Sequence, residues 1–145
     1  MGSNGWYCKW DYGWWRDEKV RYLIKKGGEA AAFQYMKLVT VIYECSSPDE
    51  PGILDMNDEI TQVNVQFEMG MDDSEFARML DLMFDARLLV RDWYEGFGKL
   101  GSERTVRDAT EIAARREKRI EAGRKGGLQT ASRQASALAS ARATP

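Results

Sequence analysis

Basic side chains clustered near the C-terminus are the residues of this sequence whose types and spacing suit a defined chemistry. The cluster comprises Arg115, Arg116, Lys118, Arg119, Arg124 and Lys125. The first four follow at spacings of one, three and four residues, so three of them can share one side of a helix. Gly126 and Gly127 then add flexible backbone. Such cations would hold nucleic acid through its phosphates without reading its sequence, although a solvated helix with a linker has the same composition.

Two further groups of cations are weaker candidates for phosphate contacts. The first group lies in a predicted first helix and consists of Lys19, Arg21, Lys25 and Lys26. The second group lies at and after a predicted β-hairpin and consists of Lys99, Arg104 and Arg107. Any phosphate contact outside the C-terminal cluster is expected at these two places.

The net charge of −2 over 145 residues hides an uneven distribution along the chain. Residues 1–103 contain 11 Lys and Arg against 19 Asp and Glu, whereas residues 104–145 contain 10 against 4. Carboxylates repel phosphates and cations attract them. The pattern therefore predicts an acidic body and a basic tail, with nucleic-acid contacts in the tail.

The composition excludes many kinds of catalytic and metal site. Without histidine, the chain cannot form a Ser-His-Asp triad, a Cys-His dyad or a His-ligated metal site. Cys8 and Cys45 lack a metal-binding spacing, and we expect both to be buried, reduced thiols. The glycine-rich string over 96–102 lacks the spacing of a P-loop. We therefore expect no enzymatic activity, no cofactor and no bound metal.

Neither a membrane span nor a secretion signal is predicted. No apolar run approaches the roughly 20 residues that cross a bilayer. Residues 1–5 also lack the basic and apolar regions of a signal peptide. The expected location is the cytoplasm, without membrane contact.

Apolar periodicity predicts four helices and one short strand in the acidic body. The helices are expected over 16–26, 29–45, about 58–69 and 73–86, and the strand over 53–56. The predicted core face of the third helix consists of Ile60, Val63 and Phe67. That of the fourth consists of Phe76, Met79, Leu80, Met83 and Phe84.

The two flanks of these helices have an alternating pattern typical of strands. After residue 86 the apolar period changes to two, which predicts a β-hairpin with its turn at Glu95 and Gly96. The hairpin strands are expected over 88–94 and 97–100.

The first fifteen residues include Trp6, Tyr7, Trp10, Tyr12, Trp14 and Trp15. These aromatic residues predict a strand or arm that closes over the core, with base stacking as the alternative.

The order helix, strand, helix, helix, hairpin predicts a winged helix-turn-helix over about residues 29–100. The fold class is therefore mainly α with a small β-hairpin. We expect a domain with its arm over 1–101, a projecting basic helix over 102–122, and a low-complexity tail over 123–145, disordered or conditionally helical. The helix over 73–86 would usually enter the major groove, but residues 72–87 carry five carboxylates against two arginines. We expect this helix pair to serve protein contacts instead.

The segment WYCKWDYGWWRDEKVRYLIKKGGEAAAFQYMKLVTVIYE resembles the N-terminal region of phage replisome organisers and DnaD-like replication proteins. The stretches MLDLMFDARLLV, GSERTVRDA and RREKRIEAGRKGG are also similar to that family, and the resemblance covers roughly residues 6–127. It implies a winged-helix protein that binds origin DNA and replication proteins such as a helicase or helicase loader, often as a homo-oligomer. Such proteins commonly carry a further C-terminal domain, whereas this sequence stops soon after the basic linker, so a fragment, a short relative and a protein repurposed for another task are the alternatives.

These patterns predict a non-enzymatic DNA-binding accessory protein of phage DNA replication initiation. The main alternative is a protein-interaction or oligomerisation module with an acidic winged helix and no direct DNA contact. A more remote alternative is a DNA mimic, whose carboxylates would lie in rows and occupy a nucleic-acid-binding protein.

Overall fold

The protein is mainly helical, with one small antiparallel sheet of two strands. The structure is a computed structural model that describes residues 13–143, with side chains described as far as residue 139. The predicted arm covers the first fifteen residues, and the part of it before residue 13 lies outside this range. After a short 3-10 turn at Trp14–Arg16, the elements are α1 (Glu18–Gly27), α2 (Glu29–Cys45), β1 (Ile53–Asp55), α3 (Glu59–Met69), α4 (Asp73–Asp85), α5 (Arg91–Phe97), β2 (Lys99–Gly101) and α6 (Glu103–Ala143).

The hydrophobic core is built around α2, which is buried on most of its circumference. Tyr35, Leu38 and Ile42 of this helix are almost completely inaccessible to solvent. The predicted apolar stripe of α4 is confirmed, since all five of its residues are buried. Helices α1 and α2 are also confirmed, and the glycines at 27 and 28 separate them as predicted. The regular apolar periods of α2 and α4 are therefore core positions.

The predicted core face of α3 is wrong. Ile60, Val63 and Phe67 are 71%, 60% and 83% exposed, respectively. The helix instead buries Val65 and Met69, which lie on its opposite side. Apolar residues therefore occupy both sides of α3, and the longer run at i, i+3 and i+7 is the solvent-facing one.

The predicted hairpin over 88–100 is also wrong, because its first strand and its turn are replaced by α5. Arg91 stabilises this helix through an i,i+4 ion pair with Glu95, at 3.7 Å. The chain turns at Gly98 rather than at Glu95 and Gly96. Gly98 has a φ of +66°, and a Cβ there would lie 2.3 Å from Oδ1 of Asn57. Glycine is therefore required at this turn for both its conformation and its small size.

The return segment does form a strand, but its partner is β1 rather than a neighbouring hairpin strand. Leu54 pairs with Leu100 in an antiparallel register, and Asp55 pairs with Lys99. The sheet therefore joins segments that lie more than forty residues apart in the sequence. No local alternation could have identified this pairing.

Buried hydrogen bonds of Thr105 join the start of α6 to the sheet. The Thr105 hydroxyl accepts a hydrogen bond from the backbone N–H of Ser102 at 2.8 Å, and it lies 2.8 Å from the carbonyl oxygen of Gly52. The Ser102 hydroxyl in turn accepts from the backbone N–H of Thr105 at 3.2 Å. This reciprocal arrangement is a variant of the helix capping box. It fixes the point from which α6 begins.

The basic segment and the low-complexity tail form one helix. α6 continues without interruption through Gly123, Gly126 and Gly127, where a linker and a disordered or conditionally helical tail are predicted. By compactness, the chain divides into residues 1–110 and 111–145, so the first two turns of α6 belong to the first unit. Ala109 is buried there, whereas nearly every described side chain beyond it is exposed.

Two further sequence expectations concern the cysteines and membrane-spanning helices. Cys45 is exposed rather than buried, because it is the last residue of α2 and follows the last core position of that helix. Cys8 lies outside the described residues. Among residues 13–143, no helix combines the length and the apolar character needed to cross a membrane.

Replacing Thr105 by valine should lower the free energy of unfolding by about 2 kcal/mol, because the Ser102 N–H and the Gly52 carbonyl lose a buried partner. Thr110→Val in the same helix is the matched control. Its hydroxyl contacts the Val106 carbonyl at an exposed position, so a change within about 0.5 kcal/mol is expected. Urea denaturation of both variants measures the difference, and equal effects would contradict a structural role for Thr105.

Candidate nucleic-acid interface

Five basic residues of α6 share one side of the helix. At 100° per residue, they fall within about a third of the circumference: Arg115, Lys118, Arg119, Lys125 and Arg133. We call this set the basic face of α6. All five side chains are exposed. The spacing rule that predicted a shared side therefore applies over a longer stretch than the sequence indicated, because the helix does not end at Gly123.

The other two predicted phosphate contacts on this part of α6 lie off the basic face. Arg116 is on the adjacent side, and Arg124 is on the opposite side, where it pairs with Glu121 at 4.0 Å. Glu117 shares that opposite side, whereas Glu111 lies at the N-terminal end of the basic face. Glu121 lies one turn before Lys125, so of the three carboxylates of residues 111–139 only Glu117 is well separated from the cations of the basic face. The basic face spans about 27 Å along the helix axis at 1.5 Å per residue.

Lys99 is drawn into the sheet by carboxylates. Its Nζ lies 3.2 Å from Oε2 of Glu50 and 3.5 Å from Oδ2 of Asp55, its cross-strand partner. The hydrogen bond to Glu50 and the charge of Asp55 raise the pKa of Lys99. A phosphate would therefore compete with two carboxylates for this ammonium group.

The remaining predicted cations lie on α1 and on the first turns of α6. Lys25 and Lys26 are exposed at the C-terminal end of α1, and Nζ of Lys26 lies 5.9 Å from the ring centre of Tyr22. Cations at this end of a helix are explained by the helix dipole. Arg104 and Arg107 line a surface groove. The other residues of this groove come from distant parts of the sequence and were not predicted to lie together.

This groove consists of two cavities that share Asp17, Arg104 and Arg107. The larger cavity has a volume of about 620 Å³ and is also lined by Trp14, Arg16 and Asp108. The smaller has a volume of about 300 Å³ and includes Lys19, Arg87 and Glu103. We call the two together the arginine groove. Among the residues that the structure describes, five cations and three carboxylates line it, all within the first compact unit.

Helix ends position the charged residues of the arginine groove. The side chain of Asp17 caps α1 by accepting from the backbone N–H of Lys19 at 2.8 Å. The Ser102–Thr105 cap sets the direction of the first turn of α6, which carries Arg104 and Arg107. Asp108 holds both arginines, with Oδ2 3.7 Å from Nε of Arg104 and Oδ1 3.5 Å from Nε of Arg107.

Arg87 enters the groove from an unusual backbone conformation. Its φ is +61°, and it is the one non-glycine residue with a positive φ among residues 13–143. It follows α4 in a Schellman turn, in which the N–H of Arg87 bonds to the carbonyl of Phe84 and that of Leu88 to the carbonyl of Met83. Glycine is the usual residue at this position. The sequence signal for this residue is an arginine at the position after a helix where glycine is usual, and it was not recognised in advance.

The acidic residues of α4 have a structural partner. Arg91 Nη2 lies 2.7 Å from Oδ1 of Asp85, and Nη1 lies 3.5 Å from Oδ1 of Asp81. The guanidinium also lies 5.2 Å from the ring centre of Phe84. These contacts attach α5 to α4. Arg91 is thus the basic partner of both aspartates, a role that was not predicted from the sequence.

Comparison with known protein families, curated proteins and solved structures found no match to this chain. Among the residues that the structure describes, no group of three or more His, Cys, Asp or Glu could hold a metal ion. The candidate interface is therefore defined by charge and geometry alone.

Replacing Arg87 by glycine should raise the free energy of unfolding by up to about 1 kcal/mol, because glycine adopts a positive φ without the steric cost of a Cβ. Arg78→Gln, at an exposed position within α4, removes the same charge without changing the backbone preference. It should leave stability nearly unchanged. Chemical denaturation compares the two, and a clear loss of stability in Arg87→Gly would show that the side chain itself supports the fold.

Proposed function

We propose that this protein is a non-enzymatic DNA-binding accessory protein of phage-type DNA replication initiation, acting in the cytoplasm. The observation that carries the proposal is the basic face of α6. Its cations are exposed, lie on one side of a continuous helix, and belong to a part of α6 that has no core role. Phosphate contacts of this kind position a protein on DNA without reading its sequence.

A winged-helix organisation of the body is part of the proposal. It is supported by the order α2, β1, α3, α4 and β2, and by the antiparallel pairing of β1 with the strand that follows the helix pair. α5 takes the place of the first wing strand. Because α4 presents aspartates and lies against Arg91, we assign the DNA contact to α6 rather than to the usual recognition helix.

Partners follow from the resemblance to replisome organisers. We propose that the acidic body contacts a replication protein such as a helicase or helicase loader, and that the protein acts as a homo-oligomer. The excess of negative charge over residues 1–103 supports a basic protein partner rather than a second DNA surface on most of the body.

The double variant Arg115→Gln/Arg119→Gln should bind duplex DNA more weakly and with a lower salt dependence. Each lost phosphate contact reduces the slope of log affinity against log salt by about 0.9. The slope should therefore fall by about 1.8 if both arginines contact phosphates. Fluorescence anisotropy with a short labelled duplex of arbitrary sequence, titrated over several salt concentrations, measures both quantities.

Lys37→Gln/Arg78→Gln is the matched control for this experiment, since it removes the same net charge from exposed positions in the body. It should leave the salt slope unchanged. An equal loss in both variants would mean that overall charge, rather than the basic face, governs binding. If the wild-type protein does not bind DNA even at low salt, the proposed function is wrong.

The exposed face of α3 favours self-association as a second candidate function. Ile60, Val63 and Phe67 form a narrow apolar stripe on the solvent side of this helix, whose other side already contacts the core. Apolar stripes of this spacing commonly pair with another helix. A twofold arrangement would place the stripe of one copy against that of another.

Replacing Phe67 by serine should shift the protein towards a monomer if this stripe joins two copies. Phe97→Ser on α5 is the control, because Phe97 is similarly exposed at 71%. Light scattering during size-exclusion chromatography, at several protein concentrations, measures the mass of each. A wild-type mass that remains at 16.5 kDa at every concentration would exclude self-association by this stripe.

A further inference from the structure

We infer that the arginine groove binds a nucleoside phosphate, with its phosphate against the arginines and its base against Trp14. This site lies in the first compact unit and uses different side chains from the basic face of α6. It does not rest on the function proposed above. A free nucleotide and one nucleotide of a single strand present the same chemistry to the groove.

The charge of the groove is opposite to that of the body around it. Residues 1–103 carry eight more acidic than basic groups, yet the groove collects Arg16, Lys19, Arg87, Arg104 and Arg107 against Asp17, Glu103 and Asp108. Its walls therefore combine an excess of two positive charges with a concave shape. Such a concavity concentrates anions even on a protein of negative net charge.

Aromatic residues border the same groove. Trp14 lines the larger cavity and is half-buried. Next to it, the Arg16 guanidinium lies 4.7 Å from the ring centre of Trp15. Indole rings and guanidinium planes are the surfaces on which unstacked bases stack. A phosphate alone would make no use of Trp14.

The carboxylates of the groove also favour a nucleoside over a bare phosphate. Asp17 uses Oδ1 to cap α1, and its second carboxylate oxygen can accept a further hydrogen bond but has none to donate. A phosphate dianion offers this oxygen no donor, whereas a nucleoside supplies N–H and O–H groups from its base and sugar. The mixed lining therefore matches a ligand with an anionic part and a polar neutral part. The cavity volumes lie within the range usual for small-molecule sites.

Arg87 gives independent support because its backbone conformation disfavours it. A Cβ-bearing residue in the left-handed region lowers stability relative to glycine, and long charged side chains are uncommon there. Among the described residues, its guanidinium forms no ion pair that would compensate. Residues held in such conformations concentrate at ligand sites. Arg87 lines the smaller cavity, where the phosphate would bind.

The test measures binding of thymidine monophosphate and of inorganic pyrophosphate to the full-length protein by calorimetry at low salt. Both should bind the wild type. Arg87→Gly should weaken both by about tenfold, since a charged hydrogen bond is lost. Trp14→Leu should weaken the nucleotide and leave pyrophosphate unchanged. Arg78→Gln, with the same charge change outside the groove, should bind both as the wild type does.

Arg87→Gly is informative because its fold is expected to be at least as stable as that of the wild type. Wild-type affinity for thymidine monophosphate in this variant would overturn the inference. So would an absence of binding of either probe to the wild type at millimolar concentration. If Trp14→Leu weakens both probes equally, the assignment of the base to Trp14 is wrong.

Two further measurements separate this site from the proposed DNA contact and identify the source of the ligand. Arg115→Gln/Arg119→Gln should retain thymidine monophosphate binding, whether or not it loses duplex DNA; loss of both would overturn the inference of a separate site. In that background, a short oligothymidylate that binds more tightly than the monophosphate, and loses affinity in Arg87→Gly, assigns the groove to a single strand. Equal affinity for the two assigns it to a free nucleotide.

Discussion

The buried hydroxyl of Thr105 is the interaction on which most of the described arrangement depends. It connects the start of α6 to the residue that precedes β1, across more than fifty positions of the sequence. Gly52 must lie so close for this contact that a Cβ there would be 2.2 Å from the Thr105 carbonyl oxygen. The sheet, the start of α6 and the lining of the arginine groove are therefore set at one place. A small polar group achieves this because its donor and acceptor are both satisfied within the core.

The local apolar pattern was sufficient to predict the buried side of an element wherever one side is apolar and the other polar. α2 and α4 follow this rule, and their buried residues could be named from spacing alone. In α3 the rule failed, because Val65 and Met69 compete with Ile60, Val63 and Phe67 and only tertiary packing decides between the two sides. Periodicity cannot rank two apolar faces when each has nearly the same number of members.

The candidate site was only partly accessible from sequence for a related reason. The basic face of α6 is local, so its spacing identified three of its members in advance. The arginine groove joins the ends of α1, α4 and α6, and its described residues come from separate stretches over 13–19, 87–90 and 102–108, together with Tyr35 of α2. Lys99 shows the converse case, since a lysine that seemed available in sequence is placed opposite Asp55 by strand pairing. Contacts between residues distant in the sequence determine both the lining of the arginine groove and the position of Lys99.

The uninterrupted course of α6 has a thermodynamic consequence for the part beyond residue 110. Three interior glycines each cost a helix about 1 kcal/mol relative to alanine, and exposed side chains add little packing energy in return. The helicity of this segment is then a local equilibrium of the helix–coil type, which shifts gradually with temperature. Repulsion between neighbouring cations opposes the helix, and bound anions relieve that repulsion. This part of α6 is thus a polyelectrolyte whose length in helical form depends on the ions around it.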